Sequence, residues 1–151
     1  MLEFKEISLS RFDDPRVVAK NAISFLQQGS PRTLLVSAHP IMPEAATEFA
    51  LRCAYCMAKS QRVLFLSSDF HPAALAGHLI KKCVKGQSPR RRLFFAEVRG
   101  PSLNDICEAI ANEPSPIVVI DSLTCFDVEL SDLEKLAQDA NITILATRAI
   151  I

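Results

Sequence analysis

Short apolar runs alternate along the chain with longer stretches whose apolar positions recur at helical spacing. Thr33 to Ser37 (TLLVS), Arg62 to Ser67 (RVLFLS), Leu93 to Val98 (LFFAEV), Ile117 to Ile120 (IVVI) and Ile142 to Thr147 are the short runs. Each is too brief for a helix and rich enough in apolar residues for a parallel strand buried on both faces, so five strands are predicted. Between them the period lengthens. Asp14-Pro15 reads as N-cap and first helical residue, and Val17, Val18, Ala22, Ile23, Phe25 and Leu26 recur until Gly29, which predicts a helix over 15–28. Further helices are predicted over 44–59, from Pro72 to about Val84, from Pro101 to about Asn112, and up to Ala140 behind the capping-box sequence Ser131-Asp132-Leu133-Glu134. Strands separated by helices specify a doubly wound α/β domain: three layers, with a mostly parallel five-stranded sheet flanked by helices. Residues 1–30 read as a helical lead-in and 31–151 as the core of one domain.

Composition agrees with one domain, since 151 residues with 49% hydrophobic content can bury a sizeable core. Seventeen basic and seventeen acidic residues cancel, so no global field favours nucleic acid or an anionic membrane. The charge is unevenly placed. Lys81, Lys82, Lys85, Arg90, Arg91 and Arg92 form a run without an acid, whereas Asp105 to Asp139 holds nine acids against Lys135 alone. Two oppositely charged surface regions are therefore expected, the basic one a contact for nucleic acid or an acidic partner. The apolar runs fall far short of the roughly 20 residues that span a bilayer. Met1-Leu2-Glu3-Phe4-Lys5 lacks the basic, apolar and small-residue order of a secretory leader, so a cytoplasmic location is expected. Five cysteines suit free thiols in a reducing compartment. Cys53-Ala54-Tyr55-Cys56 has the spacing of zinc and redox sites, but it falls in a predicted helix with no second pair to complete four ligands, and no metal site is expected. His39, His71 and His78 are scattered, no nucleophile motif such as G-x-S-x-G is present, and the loop Gly86-Gln87-Ser88-Pro89 is the one stretch expected to be mobile.

Open parallel sheets bind ligands beyond the carboxyl ends of their strands, here Ala38 to Pro43, Ser68 to Phe70, Asp121 to Thr124 and Arg148 onward. The first carries Ala38-His39-Pro40-Ile41-Met42-Pro43-Glu44-Ala45, with Phe49-Ala50 beyond it; the others carry Ser67-Ser68-Asp69-Phe70, Val119-Ile120-Asp121-Ser122-Leu123 and Ala146-Thr147-Arg148. Over roughly Thr33 to Arg148 this series resembles the RecA superfamily of ATPase cores, most closely the DnaB-type replicative helicases. The resemblance implies that Asp69 stands where the family places the Glu that polarises water. It implies likewise that Asp121 ends the Walker B strand and that Arg148 replaces the Gln that senses the terminal phosphate.

The phosphate-binding loop departs from the family pattern. Such a loop works because glycines let successive N–H groups wrap the anion, a Lys offsets phosphate charge and a hydroxyl ligates magnesium. At the matching positions Pro43 lacks an N–H, Glu44 puts a carboxylate where the ammonium belongs, and Ala45 has no oxygen. A carboxylate beside a triphosphate repels it by about 1 to 4 kcal/mol per charge pair at 4 Å. Neither ATP nor magnesium is expected in the usual pose, and Asp69, Asp121 and Arg148 read as vestigial rather than catalytic. Asp121 also reads as a polar cap for the turn through Ser122, and Asp69 as an N-cap for the helix from Pro72. The expected function is a non-hydrolysing RecA-like module that binds a RecA-family or replication protein, with homo-oligomers admitted. A partner-dependent ATPase and a nucleic-acid-binding module using residues 81–92 remain the alternatives.

Overall fold

The computed structural model describes residues 3–9, 15–38, 45–67, 92–98, 100, 102–123, 126 and 128–149. Six strands, β1 (Glu3–Leu9), β2 (Arg32–Ala38), β3 (Val63–Ser67), β4 (Leu93–Glu97), β5 (Ile117–Asp121) and β6 (Thr143–Ala149), form one sheet in the order β1-β2-β6-β5-β3-β4. Every pairing is parallel. The helices are α1 (Pro15–Leu26), α2 (Ala45–Met57), α3 (Leu103–Asn112) and α4 (Leu130–Ala140).

Period-two alternation sorts the strand side chains into two cores. Leu34, Val36, Val63, Phe65, Ile117, Val119 and Leu145 pack with Ala19, Ala22 and Leu26 of α1 and Phe49, Ala50 and Cys53 of α2. Their neighbours Leu35, Leu64, Leu66, Val118, Ile120, Ile144 and Ala146 pack with Ile106 of α3 and Leu133 and Ala137 of α4. Helices therefore cover both faces, and β3 and β5 are buried at every residue. At about 1.5–3 kcal/mol for each fully buried aliphatic or aromatic side chain, these central strands anchor the domain. Phe65 also meets Phe95 with ring centroids 5.6 Å apart.

Five strands were expected where six are found among the described residues. The additional strand, β1, sits at the sheet edge in register with β2, Glu3 opposite Arg32 through Leu9 opposite Ala38. Its sequence EFKEISL contains four polar residues, and Ile7 and Leu9 join the core. Residues 1–30 are accordingly more than a helical lead-in. Two helix starts also differ from expectation. The third helix begins at Leu103 rather than Pro101, capped by Ser102, whose hydroxyl accepts from the Asp105 N–H at 3.2 Å while the Asp105 carboxylate accepts from the Ser102 N–H at 3.0 Å. In α4 the cap is Glu129, whose N–H donates to Asp132 at 3.1 Å, and Ser131 lies inside the helix. Asn141 ends α4 in the left-handed region, φ 54°, its N–H donating to the Gln138 carbonyl. The helix expected from Pro72 and the loop Gly86 to Pro89 lie outside the described residues. Among the described residues no helix is long and apolar enough to cross a membrane.

Candidate functional site

The chain leaves β2 for α2 on one face and leaves β5 for α4 on the other, with β6 between the two strands. Connections diverging in this way open a crevice above the carboxyl ends of β2, β6 and β5, the place where open parallel sheets bind ligands. Asp121 ends β5 there, 2% exposed. Val119 and Leu145 face α1 and α2, so Asp121 and Thr147, two residues further along their strands, project to the same side. Thr147 Oγ1 donates to Asp121 Oδ1 at 2.6 Å. Thr47, in the first turn of α2, donates to the same carboxylate, 2.9 Å from Oδ2 and 3.1 Å from Oδ1. Two hydroxyls thus solvate a buried carboxylate and join α2, β5 and β6 through it. A buried charge left without such donors costs several kcal/mol.

Arg148 points the other way. Leu35 and Ala146 belong to the core beneath α3 and α4, so Ser37 and Arg148 project on that face. The Arg148 guanidinium donates to Ser37 Oγ at 3.1 Å and to Glu6 Oε1 at 2.7 Å, tying β6 to β2 and β1. Arg148 and Asp121 therefore stand on opposite faces of the sheet.

Of the degenerate loop, Ala38 is the buried last residue of β2 and Ala45 the first residue of α2. His39, Pro40, Met42, Pro43 and Glu44 lie outside the described residues, as do Asp69 and the basic residues Lys81, Lys82, Lys85, Arg90 and Arg91. Arg92 is exposed immediately before β4, at the opposite end of the sheet from Asp121. Cys53 is buried and Cys56 exposed, both as free thiols. Burial, with a smaller contribution from Cys56, pushes the Cys53 thiol far above its ordinary range, which leaves it a poor nucleophile. Among the described residues no three His, Cys, Asp or Glu side chains are grouped to hold a metal.

Thr47 is the participant that the sequence reading missed. Matching the family's loop placed its hydroxyl position at Ala45 and directed attention two residues too early. The available signal was a hydroxyl in the first turn of the helix that follows β2. No protein-family model matches the chain, and no curated protein matches it.

Proposed function

We propose that the chain is a RecA-like module that does not hydrolyse nucleotide and acts by binding another protein, a RecA-family or replication factor. The observation carrying this reading is the commitment of the Asp121 carboxylate to Thr47 and Thr147. A Walker B carboxylate serves by directing its lone pairs toward a hydrated cation; here both oxygens accept from protein hydroxyls and hold three elements together. The loop adds to this, because Glu44 supplies a negative charge and Ala45 only a methyl group where a triphosphate with its magnesium needs a cation and a hydroxyl. These residues do not fit that pair in the usual pose. Placement of Arg148 on the opposite face leaves the phosphate-sensing position without a cation directed at Asp121.

One observation favours a second reading, in which a partner completes a nucleotide site. Thr47 puts a hydroxyl 2.9 Å from Asp121, an oxygen that the loop itself lacks. Mixing the chain with a replicative helicase or a recombinase from the same cell separates the readings. A complex by light scattering and an altered hydrolysis rate of the partner are expected, both unaffected by Thr47→Val. Absence of any complex defeats the protein-binding reading, and nucleotide hydrolysis in the complex that is lost with Thr47→Val establishes the second.

A further inference from the structure

Helices α3 and α4 pack on the same face of the sheet, and a groove of about 580 Å³ opens between them toward their C-terminal ends. Ile106 and Leu133 point into the sheet; Ile110 and Leu136, one turn later, flank that buried stripe and form the half-buried walls of the groove. Ile142, the residue before β6, lies in its floor. Ala111 and Ala140 are exposed at its lips, where small side chains leave the entrance wide. The lining offers little polarity. Ser115 is buried and its hydroxyl donates to the Glu113 carbonyl at 3.2 Å, which leaves the Cys107 thiol.

The rim, by contrast, is acidic. Glu108 stands three residues before Ala111, and Asp132 and Asp139 stand four before and three after Leu136, so each shares the helix stripe that borders the groove. Glu108 and Asp139 are exposed. Lys135 is the single cation of the two helices, and Arg62, which precedes β3 beside the start of β5, pairs with Glu113. Arg32, over the Phe25 ring, and Lys59, after α2, belong to the other face of the sheet.

We propose that this groove docks an amphipathic helix of a partner protein, its apolar face inserted between α3 and α4 and its basic residues set against Glu108, Asp132 and Asp139. A site for a small polar ligand needs converging donors and acceptors, and the groove presents only an engaged hydroxyl and a thiol. Its volume admits more than one inserted side chain, which suits anchors at i, i+3 or i+4 and i+7 along a helix. Acidic flanks repel the phosphates of nucleic acid and of anionic lipid, whereas Lys or Arg at the margins of a partner helix complements them and stays solvated at the rim. The groove lies at the end of the sheet remote from Asp121 and stands whichever reading of that crevice holds.

The probe is a fluorescein-labelled peptide of about 18 Leu and Lys residues with leucine at helical spacing, titrated by fluorescence anisotropy at about 50 and 200 mM salt. Saturable one-to-one binding that weakens with salt is expected, and a peptide of the same composition with scrambled spacing should bind about tenfold more weakly. Ala111→Gln with Ala140→Gln keeps helix propensity and charge while narrowing the entrance, and should cost about tenfold with the salt dependence unchanged. Glu108→Lys with Asp139→Lys should cost about tenfold and flatten the salt dependence. Bound peptide should slow iodoacetamide labelling of Cys107 and leave the rate at Cys56, on α2, unchanged, read by mass spectrometry. Thermal melts establish that each variant folds, and the Cys107 footprint tests the parent protein without any substitution. No saturable binding at the lower salt, equal binding of the scrambled peptide, unprotected Cys107 or insensitivity to both variant pairs overturns the proposal. So does a dimer by light scattering that the glutamine pair dissociates, which assigns the groove to a second copy of the chain, or tighter binding to phosphatidylcholine vesicles, which assigns it to lipid. No replication protein enters the assay, so its failure leaves the reading of the Asp121 crevice untouched.

Discussion

Thr147→Val isolates the bond that makes Asp121 a structural tie. Valine keeps the shape of threonine, so the substitution removes the 2.6 Å donor to Asp121 Oδ1 with little change in packing. Thr147 is fully buried and Asp121 nearly so, and water cannot readily replace the lost donor. A hydrogen bond to a charged group contributes about 1.5–3 kcal/mol, and its loss from a buried acceptor falls at the upper part of that range. For a domain of this size about 2 kcal/mol corresponds to roughly 4–8 °C in Tm. Thr47→Val, at a half-buried position, should cost less. The double variant should cost more than the sum, because the carboxylate then loses both hydroxyls. Urea denaturation monitored by circular dichroism, with and without magnesium chloride, supplies the measurement. A site holding magnesium at ten times its Kd would gain about 1.4 kcal/mol, whereas no magnesium-dependent gain is expected here. A change within about 0.5 kcal/mol for Thr147→Val, typical of a surface substitution, refutes the structural role.

The cap of α3 gives a pH prediction. The Ser102 hydroxyl and then its N–H hold the Asp105 carboxyl below its ordinary value of 3.8. A lowered folded-state value means that the contribution is present at neutral pH and is lost as pH falls below about 4. Asp105→Asn should therefore destabilise at pH 7 and converge with the parent toward pH 3 in acid-unfolding curves. Gly100→Ala should act through the same cap, because a Cβ there meets Asp105 Oδ2 at 2.5 Å and displaces the carboxylate from Ser102; its loss of stability should shrink in the Asp105→Asn background. Within the C-x-x-C segment, iodoacetamide at pH 8 should label Cys56 in the native protein and Cys53 only after denaturation, read by mass spectrometry of peptides. Arg148→Ala should cost no more than about 1 kcal/mol, since its pair with Glu6 is near half exposed, and should not alter the effect of Thr147→Val.

Much of the sheet is legible in the sequence because β2, β3 and β5 are buried on both faces, and continuous apolar runs such as IVVI admit few alternatives. Strand β1 escapes because an edge strand needs only some apolar residues, and EFKEISL reads as readily as a polar lead-in. Helix starts move by a residue or two because Ser102 and Glu129 are fixed by hydrogen bonds to Asp105 and Asp132, which local spacing leaves ambiguous with Pro101 and Ser131. In the crevice, Asp121 is legible as a carboxylate at a buried strand's end. That Thr147 and Arg148 project to opposite faces follows from their being neighbours on one strand. Thr47 is not legible in the same way, because its meeting with Asp121 depends on how α2 crosses the sheet, a relation spanning 74 residues.

Isothermal titration of the purified chain with magnesium-ATP addresses Asp121 most directly. No saturable heat is expected at millimolar nucleotide, in the parent protein or in Thr47→Val. A one-to-one isotherm that disappears with Thr47→Val or Asp121→Asn, in variants shown to be folded, would contradict the structural reading and make the crevice a nucleotide site.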